Sequence, residues 1–573
     1  MKNIKHITLF LAFVMAFLNG FSQNDTIIET DAVGTGDRLI KPTKKRPLTP
    51  ILIEDTTKSQ IKSKFLFYEY KASSEFQLQP ISAAKLKIID PLNKLKRGYV
   101  KGGIGMYTTP LVEVYYNSLR SKNSSWGIHG KHLSSNSSIK ETGFSGLSEN
   151  KANAFYTHYA KKYALTGEID YLRSGMHFYG FNPEDTAIDK VDTRQVFNSI
   201  GGKIKIASFD TDTGELNYEG SLAYNNYSDR YDASENNIAL AVNAKKMVNS
   251  EIYGVDFGVD FNTYSSLPID PVHNGGVVPL PGPKTAVTVN NTIIKVMPNI
   301  TTSGKRWYAR VGLGIFADIN DKTSFHFYPN AEAKYSFHDI FVPYIGINGG
   351  LERNSFRSLT TENPFLLSQV RLQNTNTRYN IYAGVRGSIS NTISFNAQVA
   401  RRSVYGNSLF VNDTTYSNQN KMFVVYDSMD VTELSAQIMY DQTDKFRVYL
   451  NGKYSIFSPL NQDYVWNTPA LDITLGGIYD LADKIMVRAD IFFMGNRKAK
   501  SLTFVDGAEL NNDNSYTVDL KPIVDFNIGF EYRYSKIVSA FLNFNNIVSR
   551  KYQQFYLYPV QGINIMGGAT LRF

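Results

Sequence analysis

The 573-residue chain carries 61 Lys/Arg against 52 Asp/Glu, a formal net charge of +9, and no cysteine. The missing cysteine excludes disulfide scaffolds, thiolate metal sites, cysteine nucleophiles and a lipidated N-terminal Cys. A mean hydropathy of −0.27, with no apolar run of about 20 residues past the N-terminus, excludes a helical membrane protein. The 13% aromatic content excludes a disordered chain. A large soluble protein or a transmembrane β-barrel remains, because a barrel's alternation hides its lipid face from any average.

Met1–Gln23 opens with Lys2 and Lys5, runs apolar from Ile7 to Leu18, and passes into Gly20-Phe21-Ser22. This charge, apolar, small-residue order is that of a secretory signal peptide, so the mature chain is expected to start near Gln23 and be exported. Residues 24–98 hold 14 Lys/Arg, 9 Asp/Glu and five prolines (Pro42, Pro47, Pro50, Pro80, Pro91), with Lys44-Lys45-Arg46 between two of them. The segment reads as an extended, basic periplasmic arm. Export argues against a nucleic-acid partner and for an acidic protein or plain solvation.

From Tyr99 onward apolar and polar residues alternate with period 2, the strand signal. Ile485, Val487, Ala489, Ile491 and Phe493 alternate with Arg488 and Asp490; Val524 to Tyr534 alternates with Asp525, Glu531 and Arg533; Phe446 to Tyr454 alternates with Arg447 and Lys453. Strands of about 10–14 residues suit a tilted membrane crossing. Tight turns are expected at Asn249-Ser250, Gly304-Lys305, His338-Asp339, Asn391-Thr392, Asp444-Lys445, Asp483-Lys484 and Ser535-Lys536. Long loops are expected at Leu267–Val287, Ser355–Asn374 and Arg497–Ser515. Short turns on one rim, long loops on the other and aromatics near strand ends predict an all-β fold: a transmembrane antiparallel β-barrel of about 22 strands over residues 99–573, with a short periplasmic N-terminal arm. A propeller would need a recurring signature within each period, and none recurs.

The C-terminal part reads Asn545-Asn-Ile-Val-Ser-Arg-Lys-Tyr552 and ends on Ile563 to Phe573, with Ala569, Leu571 and Phe573 on one face. This resembles the end of the TonB-dependent receptors of the Gram-negative outer membrane. The resemblance implies an outer-membrane location among lipid, recognition of Phe573, Leu571 and Ala569 by the barrel-assembly machinery, and binding or passage of a solute. Asp25-Thr26-Ile27-Ile28-Glu29-Thr30 resembles a TonB box, the extended segment that pairs with TonB by strand addition. The arm carries no motif of the family's plug domain. A second reading is therefore a plugless structural or accessory barrel that scaffolds outer-membrane or periplasmic partner proteins through its arm and loops. An unfilled barrel of 22 strands would breach the permeability barrier, so something must fill it: the arm, with Phe65–Tyr70, folding inward, or else loops or a partner.

Catalytic, cofactor and metal signals are missing from the pattern: no H-E-x-x-H, G-x-S-x-G or phosphate loop occurs. His129 and His132, three apart on a strand, point to opposite faces. The chain is expected to be no enzyme and to need no cofactor. The lumen face is expected to include Arg386, Arg402, Glu433, Arg447, Lys453, Asp472, Arg488, Asp490, Asp525, Glu531, Arg533 and Arg572, because each charge would cost roughly 2–4 kcal/mol in hydrocarbon. Their mixed sign points to mutual pairing across a solvated wall more than to an ion-selective pore.

Overall fold

A computed structural model describes residues 95–573, apart from 185–187, 210–213, 268–271, 274–275, 278–285, 321, 338–339, 414–419, 443–444, 502–504, 506–507, 512 and 514. The signal peptide, the arm up to residue 94 with Asp25–Thr30 and Phe65–Tyr70, and the turn residues His338, Asp339 and Asp444 lie outside the described residues.

Twenty-two antiparallel strands form one closed sheet. In chain order they are β1 Gly98–Gly105, β2 Thr109–Asn117, β3 Ser124–Ser135, β4 Leu147–Tyr159, β5 Tyr163–His177, β6 Arg194–Ser208, β7 Asn217–Ser228 and β8 Ser234–Val248. There follow β9 Glu251–Ser266, β10 Val287–Ser303, β11 Trp307–Ile319, β12 Thr323–Tyr335, β13 Val342–Glu352, β14 Thr375–Ser388 and β15 Ile393–Asn412. The last are β16 Met422–Gln442, β17 Phe446–Pro459, β18 Leu471–Leu481, β19 Ile485–Met494, β20 Ile523–Arg533, β21 Val538–Asn545 and β22 Asn564–Arg572. Each strand pairs with its neighbour in sequence. The barrel shuts where β22 pairs with β1, from Tyr99–Arg572 to Gly105–Met566. Leu111–Asn117 lies within β2 and Met422–Tyr440 within β16, two separate members of the barrel.

Alternation decides the faces. Ile128, Ile169, Ile200, Ile204, Leu222, Val311, Phe325, Phe327, Ile345 and Ile381 are large apolar side chains left exposed on strands. Such a continuous apolar surface has no place in water and forms the lipid face. The opposite face carries the charged and amide side chains.

One rim has connections of two to eight residues and the other has most of the long ones, up to the 28-residue segment 495–522. On the long-loop side, β15 and β16 run to 20 and 21 residues. A crossing needs about 9–11, so this hairpin projects far beyond the membrane. A bulge between Val404 and Asn407 bends it, with Gly406 at φ +70°.

Glycine makes the seam close. A Cβ on Gly568 would sit 2.1 Å from the Gly102 carbonyl oxygen and 2.6 Å from the Gly103 Cα, whereas a Cβ on Gly102 would meet nothing within 4 Å. Backbone cannot yield as a side chain can, so Gly568→Val should lower the heat-modifiable, folded fraction on gels sharply, at an overpacking cost of about 1–3 kcal/mol or more. Gly102→Ala on the neighbouring strand should assemble like the parent.

Candidate functional site

The expected lumen charges lie on the inner face and mostly meet partners. Arg402 contacts Glu433 at 3.4 Å, Lys453 contacts Asp472 at 3.7 Å, Arg533 contacts Asp480 at 2.7 Å and Arg572 contacts Glu531 at 3.3 Å. Arg447 donates to Asp441 from both Nε and Nη2. Asp490 accepts from the Tyr449 hydroxyl at 2.9 Å, and Asp525 from the Tyr552 hydroxyl at 2.9 Å. Arg488 places Nη2 3.2 Å from the Met486 sulfur. Arg386 lines a polar recess of about 360 Å³ with Glu332, Tyr344, Asn380, Asn396 and Gln398. Cross-strand neighbours supply most of these contacts, as the 4.5–5.5 Å spacing of opposed Cβ atoms allows. No single cluster gathers them; they are spread over the wall from β14 to β22.

At the barrel seam, Leu571 and Phe573 are exposed on the outer face, and the Phe573 ring covers Gly98, where a Cβ would collide at 2.3 Å. Ala569 pairs with Ala540 and Gly102 on either side. His129 bonds Glu113 at 3.2 Å, while His132, on the other face, bonds Asn150 at 2.7 Å. Among the described residues no group of three or more His, Asp and Glu could hold a metal ion.

The most built feature is at the long-loop rim, and it was not among the expected sites. Segment 353–374 turns into the mouth and forms a helix, α1 Phe356–Glu362. Ser355 caps it in a reciprocal box with Ser358. Two turns of helix are not stable alone; this one is held by burying Phe356, Leu359 and Thr360, spaced i, i+3, i+4 on one face. Phe356 is 0% exposed and its amide donates to Glu235 of β8 at 2.6 Å. Around the ring stand Phe197 of β6, Tyr227 of β7 and Tyr264 of β9, at centroid distances of 6.2, 5.6 and 5.3 Å. The Tyr227 hydroxyl meets Thr360 Oγ1 at 2.8 Å, and the Tyr264 hydroxyl donates to the Ser368 carbonyl.

The same cluster reaches the opposite wall. Leu366 bridges Met422 on the β15–β16 hairpin, and Phe365 stacks on Tyr558 of segment 546–563 at 3.5 Å. Tyr558 is 1% exposed and donates to the Asn420 carbonyl; Asn420 donates to Phe178, beyond β5, at 3.1 Å. The Tyr179 hydroxyl donates to Pro559 at 3.0 Å. Connections after β5, β13, β15 and β21 therefore meet over the lumen in one dry core. A second core backs it: Leu409, Val411, Val431 and Trp466 pack on the other side of the hairpin. We call this assembly the loop seal.

Charges are buried in the seal. Asp229 accepts from Gln195 at 3.0 Å, from the amides of Tyr231 and Ala233 at 2.9 Å, and from Ser368. Burial still raises its carboxyl above the usual range. Lys421 lies 5.0 Å from the centroids of both Phe178 and Tyr231. Burial lowers its ammonium to about 8, against the pull of Asp413 and Asp229. The sequence signal for the seal was available: a solvated loop has no reason to carry Phe356, Leu359, Phe365-Leu366-Leu367, Val370 and Leu372.

In sequence, no family model matches the chain and no curated protein does. In fold, it is similar to the ferric-catecholate import receptor Fiu of Escherichia coli K12, with TM-score 0.60, 12% identity, 84% of this chain and 82% of that one. It is also similar to the pyoverdine receptor FpvA of Pseudomonas aeruginosa PAO1, with TM-score 0.62, 11% identity, 84% and 79%. The siderophore receptor PiuA of Acinetobacter baumannii gives TM-score 0.59, 12% identity, 84% and 82%. The fold is that of an outer-membrane TonB-dependent receptor barrel.

Two outcomes follow from the packing. Phe356→Ala, a core truncation costing about 3–5 kcal/mol, should abolish hydrogen-exchange protection of 353–374 while the barrel strands stay protected. Lys421 is held below its ordinary value of 10.5 at about 8, so above that pH the open state binds more protons than the sealed one. Seal protection, corrected for intrinsic exchange, should then rise with pH above 8 and below the tyrosine range near 10.0. Lys421→Met should remove that rise.

Proposed function

We propose that this chain is an outer-membrane receptor that captures a hydrophilic solute at its long-loop rim and passes it through the barrel, with the loop seal as gate. The reading places the long-loop rim outside the cell and the short-turn rim in the periplasm, the usual arrangement of such barrels. What carries it is the union of a receptor-type barrel with loops from opposite walls that meet over the lumen. A scaffold that conducts nothing has no need for a buried core across its mouth. The inner wall favours a solute that exchanges water for hydrogen bonds with amides and tyrosines: Asn225, Asn237, Asn348, Asn380, Asn396, Gln398 and Asn451 repeat along its strands. Iron chelates, named for the structural neighbours, are one class of large polar solute with that chemistry. Energy would reach the gate through Asp25–Thr30, paired with TonB by strand addition.

Growth of a knock-out strain across a panel of sole iron, carbon and nitrogen sources tests this. The intact chain should restore growth on one source, and a chain lacking 25–30 should not. Phe365→Cys with Tyr558→Cys, the only cysteines in the protein, should block that growth when oxidised and permit it when reduced. Complementation on no source, or indifference to the cross-link, would remove the receptor reading.

A further inference from the structure

The longest run of cations on the short-turn rim flanks the barrel seam. The turns 118–123 and 160–162 carry Arg120, Lys122, Lys161 and Lys162; Lys96 and Arg97 precede β1; Lys484 and Lys536 lie in turns 482–484 and 534–537. All eight side chains are exposed, and among the described residues none has a carboxylate within 4 Å. Asp483 is the one acidic side chain in these turns.

Backbone hydrogen bonds join these segments into one continuous arc. Arg533 N donates to Lys484 O at 2.7 Å, and Arg572 N to Ile537 O at 2.7 Å. Phe573 N donates to Gly98 O at 3.0 Å, and Asn117 N to Arg97 O at 2.8 Å. Tyr159 N donates to Asn123 O at 2.8 Å. The arc runs from β18 through the seam to β5. Between β12 and β15 the described residues of turns 336–341 and 389–392 contain no Lys or Arg and expose Phe337, Ile340, Phe341 and Ile389 instead, while Lys245, Lys246, Lys305 and Arg306 make a second, shorter basic stretch at turns 249–250 and 304–306.

Height on the barrel decides what the arc meets. Just inside these cations, at the ends of the same strands, stand outward aromatics: Trp126, Tyr163, Tyr479, Tyr532 and Phe573, all exposed. Tyr116 and Trp126 lie 5.7 Å apart, ring to ring. Such a girdle marks the level where hydrocarbon gives way to headgroups. Lysine and arginine in the adjoining turns extend their ammonium and guanidinium groups to the phosphate layer. A protein partner would be reached only beyond that layer, so the nearest anions are lipid.

We infer that this arc is a binding surface for anionic phospholipid headgroups of the leaflet on the short-turn side. It selects them over zwitterionic lipid and fixes one side of the barrel among them, while Phe337, Ile340, Phe341 and Ile389 anchor the β12–β15 sector in apolar depth. A polybasic surface at the membrane gains with each cation near anionic lipid and loses with salt.

The test is native mass spectrometry of the full chain released from nanodiscs of phosphatidylethanolamine with a minority of phosphatidylglycerol. Wild type should retain phosphatidylglycerol above its share in the disc, and excess soluble glycerol phosphate should not displace it. Arg120→Gln, Lys122→Gln, Lys161→Gln and Lys162→Gln together should cut that enrichment about fivefold or more. A control with Lys245, Lys246, Lys305 and Arg306 changed to Gln removes the same charge from elsewhere on the rim and should keep the enrichment. Heat-modifiability on gels confirms that both variants fold. Retention at the disc ratio, an equal fall in both variants, or displacement by glycerol phosphate would overturn the proposal. So would an arc variant that keeps its lipid and loses only an acidic protein from pull-downs.

Discussion

The pairing of β22 with β1 is what the other features stand on. In hydrocarbon an unpaired backbone N–H or C=O costs several kcal/mol, so a sheet of this size spans a membrane only without edges. Tyr99 to Gly105 opposite Arg572 to Met566 removes the last edge. The seam is a close backbone approach at Gly103 and Gly568, covered from inside by Phe541 and flanked at the rim by the Phe573 ring over Gly98. Once it is shut, period-2 alternation sends every second side chain to lipid and the rest to the lumen.

Closure creates a second demand, since a barrel this wide is a hole unless something spans it. The loop seal meets this at one mouth with ordinary core physics. Phe356, Tyr264, Tyr558 and Trp466 are as buried as residues of a soluble domain, at about 1.5–3 kcal/mol for each large apolar side chain removed from water. The hairpin β15–β16 takes part because it is apolar on both faces at its tip. Phe410, Met422 and Val424 pack into one core, while Leu409, Val411, Phe423 and Val425 pack on the other. Asp229 and Lys421, both buried, keep this core from being inert, since burial holds each away from its ordinary proton affinity.

Much of the barrel was legible in the sequence because alternation is a local property. The inward and outward sets on β17, β19, β20 and β22 can be read by counting in twos. The tight turns at Asn249-Ser250, Asn391-Thr392, Asp483-Lys484 and Ser535-Lys536 stand where Asn, Asp and Ser invite them; Asn249 and Asp483 take positive φ. The seal was not read, because its contacts join residues more than a hundred positions apart, such as Tyr264 with Ser368 and Asn420 with Tyr558. Its trace was an excess of apolar residues in 353–374, and the unbroken runs Leu409-Phe-Val411 and Met422-Phe-Val-Val425. A strand buried on both faces loses its alternation, so the tip of this hairpin carries no period-2 signal. The pairing of lumen charges likewise depends on register, which a single strand does not encode.

The central claim is that the chain's own loops close the barrel. Conductance of the purified chain in planar bilayers tests it most directly, comparing wild type with a variant in which 354–373 is replaced by a Gly-Ser linker. The account predicts a silent wild type and a variant with large, long-lived openings. A wild type that already conducts, or a linker variant as silent as its parent, would contradict it.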